Sequence, residues 1–166
     1  MLLRPARSDD AAAVADVWLR SFAVALPTVR RTHSDDQVRA WIRDVLIADR
    51  ETWVAEVDGM IVGIMSLADD WVEQLYIDPD WQGQGIGASL INLAKSHQPS
   101  GLQLWTFQVN EAARAFYKRH SFVVVDRTDG EGNEEQEPDL RLVWIPDAPG
   151  PAEGHESAVH VNHPRP

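Results

Sequence analysis

The sequence predicts an α/β domain, one mixed sheet with helices on both faces. Three observations predict it. Residues 52–77 read as a three-strand meander, with the hairpin signal Asp58-Gly59 joining its first two strands. Glycines at 83, 85 and 87 lead from the third strand into a helix. Two β-α-β passages follow, and each calls for parallel neighbours, because only a long crossover lets successive strands run the same way.

The elements follow in order. Residues 2–6 form a short candidate strand. Ser8-Asp9-Asp10 places acid in a first helical turn, and Val14, Val17, Trp18 and Phe22 continue at helical spacing until Leu26-Pro27 breaks the helix. Ser34 with Gln37 is a capping box, and Val38, Trp41, Ile42, Val45 and Leu46 mark one face of a second helix. Strands are expected at 52–57, 60–67 and 72–77, the last closed by Asp78-Pro79. A helix over 85–96 presents Ile86, Leu90, Ile91 and Leu93. Pro99-Ser100-Gly101 is a loop, 102–107 a strand, and 110–120 a helix. Strands at 122–125 and 140–145 flank a segment with seven acidic residues from Asp126 to Asp139, which reads as a solvated loop. The order is β-αα-βββ-α-β-α-ββ. One domain spans 1–145. Residues 146–166 hold half of the ten prolines and are expected to be a disordered tail.

Composition narrows the chemistry. The chain has 166 residues, enough for one core, and no apolar run near the roughly 20 residues a membrane helix needs. Its start, Met-Leu-Leu-Arg-Pro-Ala-Arg, has no hydrophobic signal segment, so a cytoplasmic location is expected by default. With no cysteine, disulfides, thiolate metal sites and cysteine nucleophiles are excluded. A formal charge of −11 argues against nucleic acid as a partner, which needs clustered cations. The same charge would attract a cationic amine, although solubility explains it equally well. His155, His160 and His163 lie in the tail and are not read as a metal site. No metal and no membrane partner are expected, and a homodimer is left open.

The segment 71–88 carries the function. A strand, a glycine-dense turn and a helix start in that order aim bare N–H groups at one point, where an anion such as a pyrophosphate binds. Gly83-Gln84-Gly85-Ile86-Gly87-Ala88 also fits the dinucleotide fingerprint. Its context does not, because the preceding strand closes a meander and the next strand, ending Thr106-Phe107-Gln108, has no acid at its end. A P-loop would need Gly-Lys-Ser/Thr, which is absent. A helix start with no ligand would leave the entropic cost of three glycines without return.

Gln82-x-x-Gly85-x-Gly87, after Leu75-Tyr76-Ile77-Asp78-Pro79, resembles the coenzyme A motif of the GNAT N-acetyltransferase superfamily. Asn110-Glu111-Ala112-Ala113-Arg114-Ala115-Phe116-Tyr117-Lys118-Arg119-His120-Ser121-Phe122 is similar to the family's later helix motif. The resemblance covers about residues 1–145, since the order of elements also matches. It implies acetyl-CoA as co-substrate and a primary amine as acceptor, a small molecule in preference to a peptide. It implies that the third meander strand bulges and splays, freeing backbone near Leu75, Tyr76 and Ile77 for the pantetheine. The pyrophosphate would sit on the N–H groups of Gln82, Gly83, Gln84, Gly85, Ile86, Gly87 and Ala88. Asn110 would lie near the pantetheine arm, and Phe116 would pack on the cofactor.

Tyr117, seven residues after Asn110 and on the same helical face, would be the general acid for the departing thiolate. Its ordinary pKa near 10 is not far above that of a thiol. Glu73 matches an acidic position that acts as base, often through water. On a regular strand it shares a face with Leu75 and Ile77, whereas a bulge before Tyr76 reverses that face. Asp69 and Asp70 are weaker alternatives. A protein N-terminus or lysine as acceptor, a non-catalytic acyl-CoA sensor and a purely structural module stay open. The helix ends His120-Ser121-Phe122 where the family usually has Gly-Phe, which puts the cap geometry in question.

His33 reads as a surface residue beside a helix cap, and Arg30 and Arg31 as solvated. Trp18, Trp41, Trp53 and Trp144 are expected in the core, and Trp71, Trp81 and Trp105 near the cleft.

Overall fold

Hairpin-linked runs of alternating apolar residues build the first half of the sheet. The computed structural model describes residues 1–146. The strands are β1 (Leu2–Pro5), β2 (Glu51–Val57), β3 (Met60–Ala68), β4 (Trp71–Ile77), β5 (Leu102–Phe107), β6 (Val123–Arg127) and β7 (Asp139–Trp144). They lie in the order β1-β2-β3-β4-β5-β7-β6. All pairings are antiparallel except β4 with β5. The expected element order is therefore present. One expectation fails: the second β-α-β passage does not yield parallel neighbours, because β7 pairs with both β5 and β6 and fills the place between them. The expected tail and its three histidines lie almost wholly outside the described residues.

The helices are α1 (Ala11–Ala25), α2 (Asp35–Trp41), α3 (Ile47–Asp49), α4 (Ile86–His97) and α5 (Glu111–Arg119). A π-helical stretch, Ile42–Leu46, joins α2 to α3 without a break. The start of α2 is the capping box read from sequence. Gln37 N–H donates to Ser34 Oγ at 3.3 Å, and Ser34 N–H donates to Gln37 Oε1 at 2.8 Å. Before α1, Ser8–Asp10 is a 3-10 turn rather than α-helix.

Two apolar layers sandwich the sheet. Val14, Ala15, Val38, Ile42 and Leu46 pack on Val54 and Ile64 on one face. On the other, Ile86, Leu90, Ile91 and Ala94 of α4 pack with Met65, Leu67, Val72, Leu102 and Leu104, and Tyr117 and Phe122 join them from α5 and its end. Burying side chains of this size contributes roughly 1.5–3 kcal/mol each before entropy is counted. The four tryptophans expected in the core instead rim these clusters. They are partly buried, as their polar indole edge favours.

The end of α5 answers the question raised by Ser121. Its φ is +65°, the left-handed cap, with Phe122 N–H donating to Tyr117 O at 3.0 Å and Ser121 N–H to Lys118 O at 3.1 Å. Serine thus holds the position that glycine suits better. The left-handed conformation costs an L-residue roughly 1–2 kcal/mol, and a glycine's extra unfolded freedom returns about half of that. Ser121→Gly is expected to raise the thermal midpoint by about 1–4 °C. A calorimetric scan showing no rise would mean that the serine is not strained.

Candidate active site

The site begins where two strands separate. β4 and β5 share one register pair, Trp71 with Gln103, beside a bond from Gln103 N–H to Asp70 O at 2.9 Å. Beyond that pair they diverge. A cleft of about 300 Å³ opens between them, bordered by Glu73, Gln74, Leu75 and Tyr76 on β4 and by Trp105, Thr106 and Phe107 on β5. Along β4 the backbone alternates in direction. Asp78 N–H donates to Val62 O at 2.8 Å, so Tyr76 and Gln74 also turn their backbone toward β3. Leu75 and Ile77 turn theirs toward the cleft. Of the segment 75–77 expected to offer free backbone, Tyr76 is thereby committed to the sheet. Ile77 O also accepts from Ser21 Oγ at 2.5 Å and Gln82 Nε2 at 3.2 Å.

The bulge is present, and it corrects one reading. Ser66 faces Gln74 and Leu67 faces Val72, so Glu73 is the extra residue on β4. Leu75 and Ile77 pack with the α4 layer. Glu73 does not share their face. Its Oε2 accepts from Arg50 Nε at 2.9 Å, and its side chain is 13% exposed. The weaker alternatives fare worse. Asp69 sits in the β3–β4 turn with φ of +53°, and Asp70 Oδ2 is engaged by Gln103 Nε2 at 2.8 Å.

The glycine turn is pinned from behind. Arg20 of α1 reaches Asp78 and Asp80, each at 2.8 Å, and Asp78 Oδ1 accepts from Asp80 N–H at 3.0 Å. Gly83 and Gly85 have φ of +75° and +82°, and space beside their Cα atoms is open. The first backbone bond of α4 runs from Ser89 N–H to Gly85 O at 3.0 Å. The N–H groups of residues 82–88 therefore have no backbone acceptor among the described residues. Gly87 serves a different end: a Cβ there would come within 3.2 Å of the Phe116 ring. Phe116 accordingly packs over the start of α4 and against His120, with ring centres 4.5 Å apart, and not into the cleft. The Ile86 side chain is core, which leaves only its N–H for a ligand.

From α5, Asn110 and Tyr117 both border the cleft, as their spacing requires. Asn110 Oδ1 caps the helix, accepting from Ala113 N–H at 3.1 Å, so its Nδ2 amide is the group left to donate. Tyr117 is 8% exposed, and its hydroxyl has no hydrogen-bond partner among the described residues. Tyr76, expected to contribute backbone, instead brings its side chain to the same cleft, with its ring 5.5 Å from that of Trp18. Both of the chain's two tyrosines thus meet here. Burial pushes each phenol above its ordinary pKa. Mutual repulsion with Tyr76 adds to this at Tyr117, and the Glu135 carboxylate adds to it at Tyr76. Tyr117 is therefore a weaker acid than its free value suggests.

The acidic segment was missed as part of the site. Asp126, Asp129, Glu131 and Glu134 are exposed, as a solvated loop requires, but the segment between them folds back on itself. Asn133 Nδ2 donates to Glu137 O at 2.7 Å and to Asp139 Oδ2 at 2.9 Å, and Glu137 N–H returns to Asn133 Oδ1 at 3.1 Å. Asn133, Glu135 and Asp139 border the cleft. His33 Nε2 lies 2.8 Å from Glu134 Oε2, tying the α1–α2 loop to this segment. Arg31 pairs with Asp35. Of the three tryptophans expected near the cleft, only Trp105 borders it.

The raised phenols have a measurable consequence. The folded state keeps both protons at a pH where the unfolded chain begins to lose them. Stability from this source is full below pH about 10 and falls as pH rises beyond it. In a spectrophotometric titration, phenolate is expected to emerge late and together with loss of tertiary structure. Independent ionisation of either tyrosine near pH 10 with the fold intact would contradict the burial described.

The acetyltransferase (GNAT) domain family matches residues 48–124. The chain is 30% identical over 148 residues to the peptidyl-lysine N-acetyltransferase YjaB of Salmonella typhimurium strain LT2, covering 86% of this chain and 97% of that one. The solution structure of apo-form YjaB from Escherichia coli superposes with a TM-score of 0.73 at 26% identity, covering 87% of this chain and 97% of the other. PaiA N-acetyltransferase from Thermoplasma acidophilum, solved in complex with coenzyme A, shares the fold with a TM-score of 0.62 at 17% identity over 84% of this chain and 96% of its own. The parted strands, the glycine turn and this relatedness together make the chain a member of the GNAT superfamily, an N-acetyltransferase with acetyl-CoA as its co-substrate.

Proposed function

We propose that the cleft between β4 and β5 transfers the acetyl group of acetyl-CoA directly to a primary amine in a ternary complex, with Tyr117 as general acid. The observation that carries this is the buried, unpartnered Tyr117 hydroxyl in a cleft that runs along the outward backbone of β4. The pyrophosphate takes the free N–H groups of residues 82–88, aided by the positive end of the α4 dipole. The pantetheine arm lies along Leu75 and Ile77 as an added strand would, and Asn110 Nδ2 donates to it. Glu73 takes the amine's proton through water. The nitrogen then bonds to the thioester carbon, and outward N–H groups of β4 hold the oxyanion. As the C–S bond breaks, the thiolate takes its proton from Tyr117, and the second proton shed by the nitrogen as the amide forms returns to the Tyr117 phenolate. A buried phenol stays protonated at every working pH, so the acid is always charged with its proton. A cysteine-linked acyl intermediate is excluded, since the chain has no cysteine.

The acceptor in this reading is a small amine, because Leu26 at the end of α1 and Glu135 of the acidic segment both border the cleft, and the His33–Glu134 pair ties those two segments together. A second reading, a lysine side chain of a protein, is supported by the name of the relatives from Salmonella and Escherichia coli. Steady-state turnover on a panel of small amines and lysine peptides, followed by thiol release, separates the two. Tyr117→Phe is expected to lower kcat by about 100-fold while acetyl-CoA affinity stays within about twofold of wild type. Unchanged thiol release with the best amine would remove Tyr117 from the acid role. A calorimetric titration of the wild type with acetyl-CoA that gave no saturable heat would overturn the whole reading.

A further inference from the structure

We propose that Glu135 is the residue that holds the positive charge of the acceptor, and hence that the cleft selects cationic amines over neutral nucleophiles. This rests on the transferase reading given above and goes further by naming the group that chooses the substrate.

The loop between β6 and β7 is built to place this carboxylate. Gln136 N–H donates to Asn133 O at 3.2 Å, so Glu134 and Glu135 are the two central residues of a tight turn. The neck of the loop is closed by Gly130, where φ is +87° and a Cβ would lie 2.4 Å from the Glu137 backbone. Asn133 locks the interior through Glu137 and Asp139. Adjacent positions on a tight turn point apart, and the two glutamates have different surroundings. Glu134 turns to His33. Glu135 borders the cleft, close enough to Tyr76 for its charge to oppose ionisation of that phenol.

Each other carboxylate of the cleft has a partner. Glu73 is bound by Arg50. Asp139 is bound by Thr128 and by Asn133. Glu135 has no hydrogen bond or ion pair among the described residues. A second observation points independently to a ligand in the same space: the Tyr117 hydroxyl, more than nine-tenths buried, faces the cleft with no partner of its own. A half-buried carboxylate without a cation, beside the un-ionised Tyr76 phenol, is the environment an alkylammonium group completes. The ammonium docks on Glu135 and then surrenders its proton along the route to Glu73 before attack.

The test is kinetic and uses the full chain with the best amine found in the panel. Glu135→Gln is expected to raise KM for that amine by about tenfold. Its KM for acetyl-CoA and its kcat should stay within about threefold of wild type. Glu131→Gln, an exposed carboxylate earlier in the same segment, is expected to leave the amine KM within about twofold. Equal amine KM values for wild type and Glu135→Gln would overturn the assignment, as would an equal rise in both variants, which would indicate loop disruption instead. If wild type itself acetylates no amine, the transferase reading has failed. If wild type turns over and Glu135→Gln matches it, only the role of Glu135 has failed.

Discussion

Everything in this site depends on β4 and β5 being held together at one end and kept apart at the other. A parallel pair normally satisfies both strands along their length. Here the pair is limited to Trp71 and Gln103. The consequence is a row of main-chain groups on β4 that neither strand uses. Three features keep the strands from closing. The bulge at Glu73 changes the course of β4. β5 is paired along its whole length to β7, which anchors it on the side away from β4. α5 places Tyr117 and Asn110 in the gap.

The second constraint is orientation of the helix that follows. Free N–H groups at a helix start are universal, and what matters is where they point. Arg20 fastens the turn through Asp78 and Asp80, and the apolar face of α4 fixes the helix against the sheet. The donors are thereby set in line with the unpaired backbone of β4. One extended ligand with an anionic end and an amide-bearing arm matches both. The chemistry at the far end then needs little beyond a proton donor, a proton acceptor and a place for the amine.

Much of this was legible in the sequence, and the misses share a cause. Strands and helices with strong periodicity, such as β2, β3 and α4, were readable from their own residues. The pairing of Asn110 and Tyr117 on one helical face followed from their spacing. Backbone irregularity was harder. A regular strand would have put Glu73 with Leu75 and Ile77, and one extra residue moved it to the neighbourhood of Arg50. Gly87 was grouped with its neighbours because they are alike in sequence, yet its role is to admit Phe116. Most was lost in the segment between β6 and β7. Seven acids there read as solvated because no local rule says that Asn133 will bond Glu137 and Asp139 and fold the chain inward. The signal present was Gly130 with Asn133, a turn-forming pair inside a charged run. The clustering of the chain's only two tyrosines depends on long-range contacts between β4 and α5, which no window of sequence reports.

The central claim is that the strand gap and the glycine turn act as one binding surface for a nucleotide thioester. A crystal structure of the chain grown with coenzyme A tests it most directly. Diphosphate oxygens are expected within hydrogen-bond distance of N–H groups from Gly83 to Ala88, and pantetheine amides are expected to pair with the backbone of Leu75 and Ile77. Coenzyme A bound elsewhere, or β4 and β5 closed on each other with those groups paired, would contradict it.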